Sequence, residues 1–326
     1  MKGSKIVLFL LVLIGVVSKG QDYRPGHIWT MSLRYNPAMM SAFWDVRVVL
    51  NMRRQWGPIG GGYMTYGGQA TVPIFASRYS KLDAGITFVK DLAGAYMIND
   101  GRVALAFTRR FNDNMGFSVG LMGGLVNRQI NPDALLWEDQ YVAGVPSSIN
   151  PTSESIEYEV RNYPRIGSGV FLFVEDRKAI SGNIGFFVDN FNVPNVPHLR
   201  QSYALRRYRY TGHLMVKISL GIEGSYAGAG IYKWHEGGVG EEAYGMAVKY
   251  NELDEGDVKL FFSLWYRTNK TMMIAVGGGY RYVDLYYSHD IPFSTFAEAF
   301  PSVPTHELSL QFSFNRFGRE EKDPLF

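Results

Sequence analysis

Cysteine is absent from the 326-residue sequence. Its absence excludes disulfide bonds, cysteine-ligated zinc, iron–sulfur clusters, a thiol nucleophile and the lipid-modified cysteine of an N-terminal lipoprotein. An excess of one charge is also missing, because 33 basic residues stand against 30 acidic ones, interspersed along the chain, for a net charge of +3. This balance excludes the strongly basic surface that is typical of nucleic-acid-binding proteins. We therefore expect no nucleic-acid partner.

Long hydrophobic runs are scarce as well, and the run near the N-terminus is short. The apolar run 6–17 follows two lysines and precedes the small residues Ser18 and Gly20. This arrangement predicts a Sec-type signal peptide, residues 1–20, with cleavage before Gln21. No later stretch reaches the ~18 consecutive apolar residues that a transmembrane helix needs. The sequence therefore predicts an exported protein that is periplasmic, secreted or an outer-membrane barrel.

Strand-forming and turn-forming residues are abundant, with 21 Tyr, 21 Phe and 36 Gly. Many segments alternate between apolar and polar residues, as half-buried strands do. In THELSLQFSF, residues 305–314, Leu308 and Leu310 alternate with Glu307 and Ser309. The polar partners in such segments mix small residues with charged ones, and aromatic residues crowd the strand ends. A polar lumen and aromatic girdles of this kind are typical of transmembrane β-barrels.

We predict an all-β fold, a transmembrane antiparallel β-barrel of about 14 strands over residues 44–314, with 12 or 16 strands left open. Because bacterial barrels have even strand numbers and short periplasmic turns, both termini are predicted to be periplasmic. An N-terminal periplasmic segment is predicted at 21–43, and a charged tail outside the membrane at 315–326. The closing strand is predicted to turn its leucines to lipid and its polar residues to the lumen. The predicted strands are 44–56, 67–77, 82–91, 102–111, 115–127, 158–174, 180–189, 204–219, 226–234, 242–250, 257–267, 271–277, 281–289 and 305–314.

No set of residues for catalysis, cofactor binding or metal binding emerges from the sequence. His306 and Glu307 begin like a zinc motif, but Leu310 stands where H-E-x-x-H requires its second histidine. The acidic stretch 251–257 lacks the spacing of an EF-hand calcium loop. The histidines are scattered, and no Ser-His-Asp set can be assigned to them. We predict a non-enzymatic protein without a cofactor.

Two stretches are candidates for recognition. The longest predicted connection, 128–157, carries Trp137 and Tyr141, and loops of this length are usually functional or disordered. The stretch RRYRY, 206–210, interleaves basic and aromatic residues. We interpret it as a strand with Arg toward the lumen and Tyr at the membrane interface, and a binding patch at the barrel rim is the alternative.

Short motifs are spread along most of the chain. They are Tyr35-Asn36-Pro37-Ala38, Arg54-Gln55-Trp56, Trp265-Tyr266-Arg267, Tyr287-Ser288-His289-Asp290 and Thr305-His306-Glu307-Leu308-Ser309-Leu310. In this order they resemble the motifs of the PorP/SprF family of type IX secretion membrane proteins. The sequence departs from the family pattern at His289, where the family has Tyr, and residues 128–234 share only the strand rhythm.

The resemblance implies an outer-membrane barrel that works with type IX secretion and gliding motility. The implied partners are outer-membrane lipid, the periplasmic ring lipoprotein of the machine, and the C-terminal domain of a secreted surface protein or adhesin. A passive porin or solute transporter stays open as the alternative, and an outer-membrane hydrolase is a third hypothesis. The motif residues that the resemblance makes candidate structural or partner-contact positions are Tyr35, Asn36, Pro37, Arg54, Gln55, Trp56, Arg267, His289, Asp290, His306 and Glu307.

Overall fold

The structure is a computed structural model of the chain. The predicted signal peptide, 1–20, and the predicted charged tail, 315–326, lie outside the residues that it describes. The described residues are 26–42, 46–57, 62–131, 135, 137–142, 145–146, 160–175, 180–196, 205–222, 225–252, 258–293 and 304–314.

Fourteen antiparallel strands close into one barrel, as the sequence predicted. A separate two-stranded hairpin lies in the long connection between the fifth and sixth strands of the barrel. The barrel strands are β1 (Val46–Gln55), β2 (Tyr63–Ala76), β3 (Ser80–Ala93), β4 (Tyr96–Arg110), β5 (Met115–Ile130), β8 (Val160–Val174), β9 (Ile180–Asp189), β10 (Arg209–Ser219), β11 (Tyr226–Glu236), β12 (Val239–Glu252), β13 (Val258–Arg267), β14 (Thr271–Tyr280), β15 (Val283–Pro292) and β16 (Thr305–Phe314), and the hairpin is β6 (Tyr141–Val142) with β7 (Val145–Pro146).

The first and last strands close the barrel. The register runs from Val46 opposite Phe314 to Gln55 opposite Thr305, so β1 and β16 pair over their whole length. THELSLQFSF is therefore the closing strand, as predicted. Each barrel strand has a neighbour on both sides. This matters because lipid offers no hydrogen-bonding partner to the backbone of an open sheet edge.

The two faces of the wall follow the alternation in the sequence. On β4, Val103 and Leu105 are 64% and 54% exposed, whereas Ala104 and Ala106 are buried. On β16, Leu308 is exposed, and Glu307 and Ser309 are buried in the lumen. Successive side chains of a strand point to opposite faces. The period-two pattern therefore assigned these side chains correctly.

Several strands are longer than predicted. Residues 92–101 were predicted to connect two strands, but β3 and β4 are joined by a tight turn at Gly94 and Ala95, with φ +61° at Gly94. The polar stretch around Asp100 resembles a loop in the sequence. It continues β4 because Asp100 and Arg102 both face the lumen, where charged side chains find partners.

The connection between β5 and β8 contains local structure of its own. A short 3-10 helix, Glu138–Gln140, is followed directly by the β6–β7 hairpin. Downstream, β10 begins at Arg209 rather than at the predicted residue 204. The strand interpretation of RRYRY holds for its last two residues, since Arg209 is buried in the lumen and Tyr210 is exposed. Residues 206–208 precede the strand, and Arg207 is exposed, so the interpretation was wrong for them.

Residues 26–42, the N-terminal plug, lie inside the barrel. The plug contains a short helix, Ser32–Tyr35, and a 3-10 helix, Pro37–Ala42. Every residue from 26 to 40 is buried, and the plug contacts the lumen face of β2, β4, β8 and β16. The described part of the predicted N-terminal segment, 21–43, therefore packs inside the barrel, and its periplasmic side stays a prediction. Among the described residues, no helix has both the length and the apolar character needed to cross a membrane.

The plug belongs in the lumen because of its composition. Its apolar side chains fill the space between the inward faces of the strands, where Leu33 and Met40 pack with Ala104, Met122 and Phe187. Burial of apolar area of this kind is the main favourable contribution to packing. In the sequence the same residues form no alternating strand, which is why they were assigned to a segment outside the barrel.

Candidate functional site

The Tyr-Asn-Pro-Ala motif fastens the plug to the barrel wall. The Asn36 side chain donates from Nδ2 to the backbone oxygen of Val170 at 2.9 Å and of Phe186 at 3.5 Å. Its Oδ1 accepts from the backbone N–H of Ala38 at 2.9 Å. The Asn36 side chain therefore stabilises the turn of the plug and donates hydrogen bonds to backbone oxygens of two strands, β8 and β9.

Glycines on the lumen face make room for this motif. A Cβ added at Gly169 would lie 2.1 Å from Asn36 Oδ1, and one at Gly120 would lie 2.4 Å from the backbone nitrogen of Ala38. A Cβ at Gly185 would lie 2.9 Å from Asn36 Nδ2. A Cβ atom is essentially never found this close to a non-bonded heavy atom. The glycines therefore define the shallow surface that receives the plug.

An aromatic cluster fills a neighbouring part of the lumen. Trp29 of the plug stacks on His27 with ring centroids 5.1 Å apart and lies 5.0 Å from Phe261 and 6.3 Å from Trp265. Tyr35 meets the edge of Tyr232 at 4.7 Å and 85°. Such geometries add to the free energy of burying the rings.

Glu307 anchors the start of the plug. It accepts hydrogen bonds from the backbone N–H of Gly26 at 2.6 Å and from Arg53 Nη1 at 2.8 Å. Asn51 Nδ2 donates to the other carboxylate oxygen at 2.9 Å, and the N–H of His27 does so at 3.3 Å. A buried carboxylate is stable only when it is paired in this way.

The same network extends to Asp290 and Arg267. Arg53 donates from Nη2 to Asp290 Oδ2 at 2.9 Å, and Arg267 donates from Nη1 to the same oxygen at 2.8 Å. We call Arg53, Arg267, Asp290 and Glu307 the closing-strand cluster. Its two guanidinium groups face two carboxylates, so its formal charges balance.

A second buried network, the Asp189 cluster, lies further around the wall. Asp189 Oδ2 accepts from Arg102 at 2.8 Å, from Arg165 at 2.7 Å and from Arg209 at 2.8 Å. Asp100 binds Arg102, and also Arg34 of the plug at 2.9 Å. The cluster ties β4, β8, β9, β10 and the plug together, and its arginines outnumber its two aspartates. Its members are Arg34, Asp100, Arg102, Arg165, Asp189 and Arg209.

The family model for "Type IX secretion system membrane protein PorP/SprF" matches residues 18–312. The chain belongs to the PorP/SprF family. The match covers the plug and nearly all of the barrel, and it confirms the resemblance of the motifs. No curated protein matches the chain.

Solved structures show the same fold at low sequence identity. A TodX deltaS2S3 mutant, a monoaromatic hydrocarbon channel, superposes with a TM-score of 0.55 at 9% identity, over 90% of this chain and 95% of that chain. The Ralstonia pickettii toluene transporter TbuX gives 0.52 at 10%, over 87% and 94%. A Pseudomonas aeruginosa FadL homologue gives 0.51 at 10%, over 86% and 92%. These similarities establish an outer-membrane type of barrel for this PorP/SprF protein and nothing about its ligands.

The family motifs separate into two groups by the face they occupy. Tyr35, Asn36, Pro37, Arg267, Asp290 and Glu307 lie in the lumen, where they hold the plug or the closing-strand cluster. Arg54 is exposed on the outer face, and His289 and His306 are half-buried there. Trp56 is exposed just beyond the end of β1, and the half-buried Gln55 has the opposite parity to Arg54. The motifs therefore do not form a single site.

The loop residues lie apart from both groups. Trp137 precedes the 3-10 helix, and its backbone N–H donates to Gln140 Oε1 at 3.0 Å. Tyr141 starts the hairpin and is 46% exposed. An exposed ring next to a locally ordered turn is suited to contact with another molecule.

Sequence reasoning missed several residues of the lumen networks. Arg53, one position before the motif Arg54, makes the ion pairs, because only Arg53 has the inward parity of Asn51. The Asp189 cluster was missed entirely. Charged residues at inward positions of predicted strands were the available signal for it. Among the described residues, no group of three or more His, Asp or Glu side chains is placed to hold a metal ion.

Proposed function

We propose that this PorP/SprF protein is a non-enzymatic component of type IX secretion that assists the export or surface anchoring of secreted adhesins. In this proposal it associates with the periplasmic ring lipoprotein and with the C-terminal domain of the secreted protein. Family membership supports the secretion role. We favour a docking scaffold over a passive pore because the plug fills the lumen and occupies the path that a solute would take.

The proposed orientation has both ends of the barrel chain in the periplasm. It is supported by the pairing of Val46 with Phe314, which puts the start of β1 and the end of β16 at one end of the barrel. The longest connections, 131–159, 190–208 and 293–304, all lie at the opposite end. Long loops of outer-membrane barrels face the exterior. Trp137 and Tyr141 would then meet cargo at the cell surface, and a Sec-type signal would deliver the chain to the periplasm.

Deleting the gene tests the secretion role. We expect loss of surface adhesin and reduced release of type IX substrates, with both restored by a plasmid copy. Affinity capture of a tagged copy from native membranes should recover the ring lipoprotein and the adhesin. Unchanged secretion, motility and adhesin display in the deletion strain would contradict the proposal.

Conductance in a planar bilayer tests the porin alternative. We expect little current through the intact protein, since the plug is held by Asn36, Arg34 and Gly26 at three parts of the wall. A variant lacking residues 26–42 should conduct, and it serves as the positive control for insertion. Steady, solute-selective current through the intact protein would favour a transporter.

A further inference from the structure

Three residues form a lateral row on the outer face of the barrel. Arg54 of β1 lies opposite His306 of β16, and His306 lies opposite His289 of β15. Directly opposed residues on adjacent antiparallel strands have their Cβ atoms about 5 Å apart. The three side chains therefore stand side by side across the seam that closes the barrel.

The two histidines are held together by a third outward residue. Their Nδ1 atoms are 3.4 Å apart, and the Tyr287 hydroxyl lies 2.7 Å from Nδ1 of His306. Within the described residues, neither ring uses Nε2 in a hydrogen bond, and Arg54 has no hydrogen bond or ion pair. As far as the described residues go, the row therefore presents a guanidinium without a partner next to two imidazoles whose orientation is fixed.

Among the described residues, no acid neutralises this row from the outer face. The outward positions of β14, β15, β16, β1 and β2 contain no Asp or Glu, because the acidic residues of β15 and β16 all face the lumen. The neighbours of the row are apolar or aromatic, including the exposed Leu308 and the exposed Tyr287, whose ring stacks on His306 with centroids 6.0 Å apart. Aromatic rings near strand ends are typical of the level at which a barrel wall enters the headgroup region.

From this arrangement we infer that Arg54, His306 and His289 bind the phosphate of an anionic membrane lipid. A guanidinium fork matches the geometry of phosphate oxygens, and an imidazole can donate from Nε2. The apolar surroundings suit the acyl chains of the same lipid. The wall itself thus selects a lipid over a free anion, because it faces acyl chains below the row. Arg54 disfavours the other use of a histidine pair, a divalent cation, since it adds positive charge beside the site.

Native mass spectrometry of the purified full-length protein in neutral detergent tests this site, with dioleoyl phosphatidylglycerol as the probe. The triple variant Arg54→Gln, His289→Gln, His306→Gln should bind this lipid about tenfold more weakly, the loss expected from one charge-assisted hydrogen bond. The matched control is Arg109→Gln, which removes an exposed arginine near the turn end of β4. The affinity of the Arg109→Gln variant for dioleoyl phosphatidylglycerol should stay at the wild-type value.

Further variants separate the possible explanations. If the triple variant fails to fold, as judged by gel mobility with and without heating, Arg54→Gln alone should still weaken lipid binding. Arg54→Lys keeps the charge but loses the fork, so its affinity should lie between those of Arg54→Gln and the wild type. Inorganic phosphate at the same concentration should not displace the lipid. Equal lipid affinity in all variants, displacement by inorganic phosphate, or zinc binding that disappears with the histidines while lipid affinity is unchanged would each overturn the assignment.

Discussion

The inner and outer faces of the same strands follow opposite rules. On β16, Glu307 is 1% exposed and ion-paired, while its neighbour Leu308 is 39% exposed and belongs to a broad apolar surface. In the lumen, charge is abundant and each cluster is built around shared carboxylates. On the outer wall, charge is rare. A buried side chain of this barrel can therefore lie in a polar environment, because the lipid outside the wall is more apolar than the lumen.

The inner networks stabilise the barrel through pairing, which makes them sensitive to the loss of one partner. Removing one member of a buried ion pair leaves an uncompensated charge, and this costs more than the pair contributed. The outer face has the reverse sensitivity, since it tolerates apolar changes and resists added charge. The effect of a variant on one face is therefore best compared with that of a variant on the other face or in a charge-balanced cluster.

The largest effect is expected inside, at Asp189. Asp189→Asn should lower the free energy of unfolding by about 3–5 kcal/mol, because Arg102, Arg165 and Arg209 lose their shared carboxylate. The measurement is equilibrium unfolding in urea of protein reconstituted in lipid vesicles. Asp290→Asn should cost less, since Glu307 continues to pair with Arg53.

An exposed ion pair supplies the control for that experiment. Lys233 and Glu242 pair near the ends of β11 and β12, and their side chains are 64% and 31% exposed. Glu242→Gln should leave the unfolding midpoint where it is, because exposed pairs contribute little. If Asp189→Asn were no more damaging than Glu242→Gln, the Asp189 cluster would have no structural role.

The next effect is expected on the outer face, at Leu105 in the middle of β4. Leu105→Arg should destabilise the barrel in lipid by about 2–4 kcal/mol, the cost of an arginine at the bilayer midplane. Leu105→Val keeps the apolar surface and should cost much less. The same vesicle unfolding assay measures both. A neutral result for Leu105→Arg would mean that this face of the wall does not meet acyl chains.

Two glycines on β5 compare the faces within a single strand. A Cβ at Gly120 would lie 2.7 Å from the backbone carbon of Pro37, whereas one at Gly123, on the outer face, would meet only the Arg165 oxygen at 3.8 Å. Gly120→Ala should therefore cost about 1–3 kcal/mol through overpacking and should loosen the plug. Protease cleavage within residues 26–42 reports the loosening. Gly123→Ala should behave as wild type, and equal cleavage of the two variants would show that the plug does not rest on Gly120.

The smallest effect is expected at Tyr287, which is 40% exposed on the outer wall. Tyr287→Phe removes the hydroxyl that contacts His306 and should cost no more than about 1 kcal/mol, because an exposed hydrogen bond competes with water and headgroups. Unfolding in vesicles again gives the value. A loss as large as that of Asp189→Asn would contradict the distinction between the two faces.

The sequence predicted about 14 strands, with 12 or 16 left open, and the face of most side chains; the barrel has 14. Leu308 and Glu307 were assigned correctly because alternation is a property of each strand by itself. Strand ends were less accurate. Asp100 and Arg102 were placed at or beside a connection. A charged residue fits inside a strand only when a distant strand supplies an ion-pair partner in the lumen, as Asp189 does for Arg102.

The motif residues also show what could be predicted from the sequence and what could not. The order of motifs identified the family, and the family match confirmed it. The motif Arg54 was a candidate contact, yet Arg53 holds Glu307, and only the position of the strand in the closed barrel distinguishes the two arginines. The Tyr-Asn-Pro-Ala motif was interpreted as a turn before the first strand. Its role against Gly120 and Gly169 depends on strands more than 80 positions away.

The amino-acid sequence alone specifies local features: the strand-rich character of the chain, the period-two wall and the closing strand with its leucines outward. The content of the lumen depends on the closed barrel. Gly26 meets Glu307 across 281 positions of sequence, and that contact exists only because β1 and β16 join to close the ring. Closure brings the inward side chains of distant strands around one space, and no local pattern specifies which of them will meet or what will fill it.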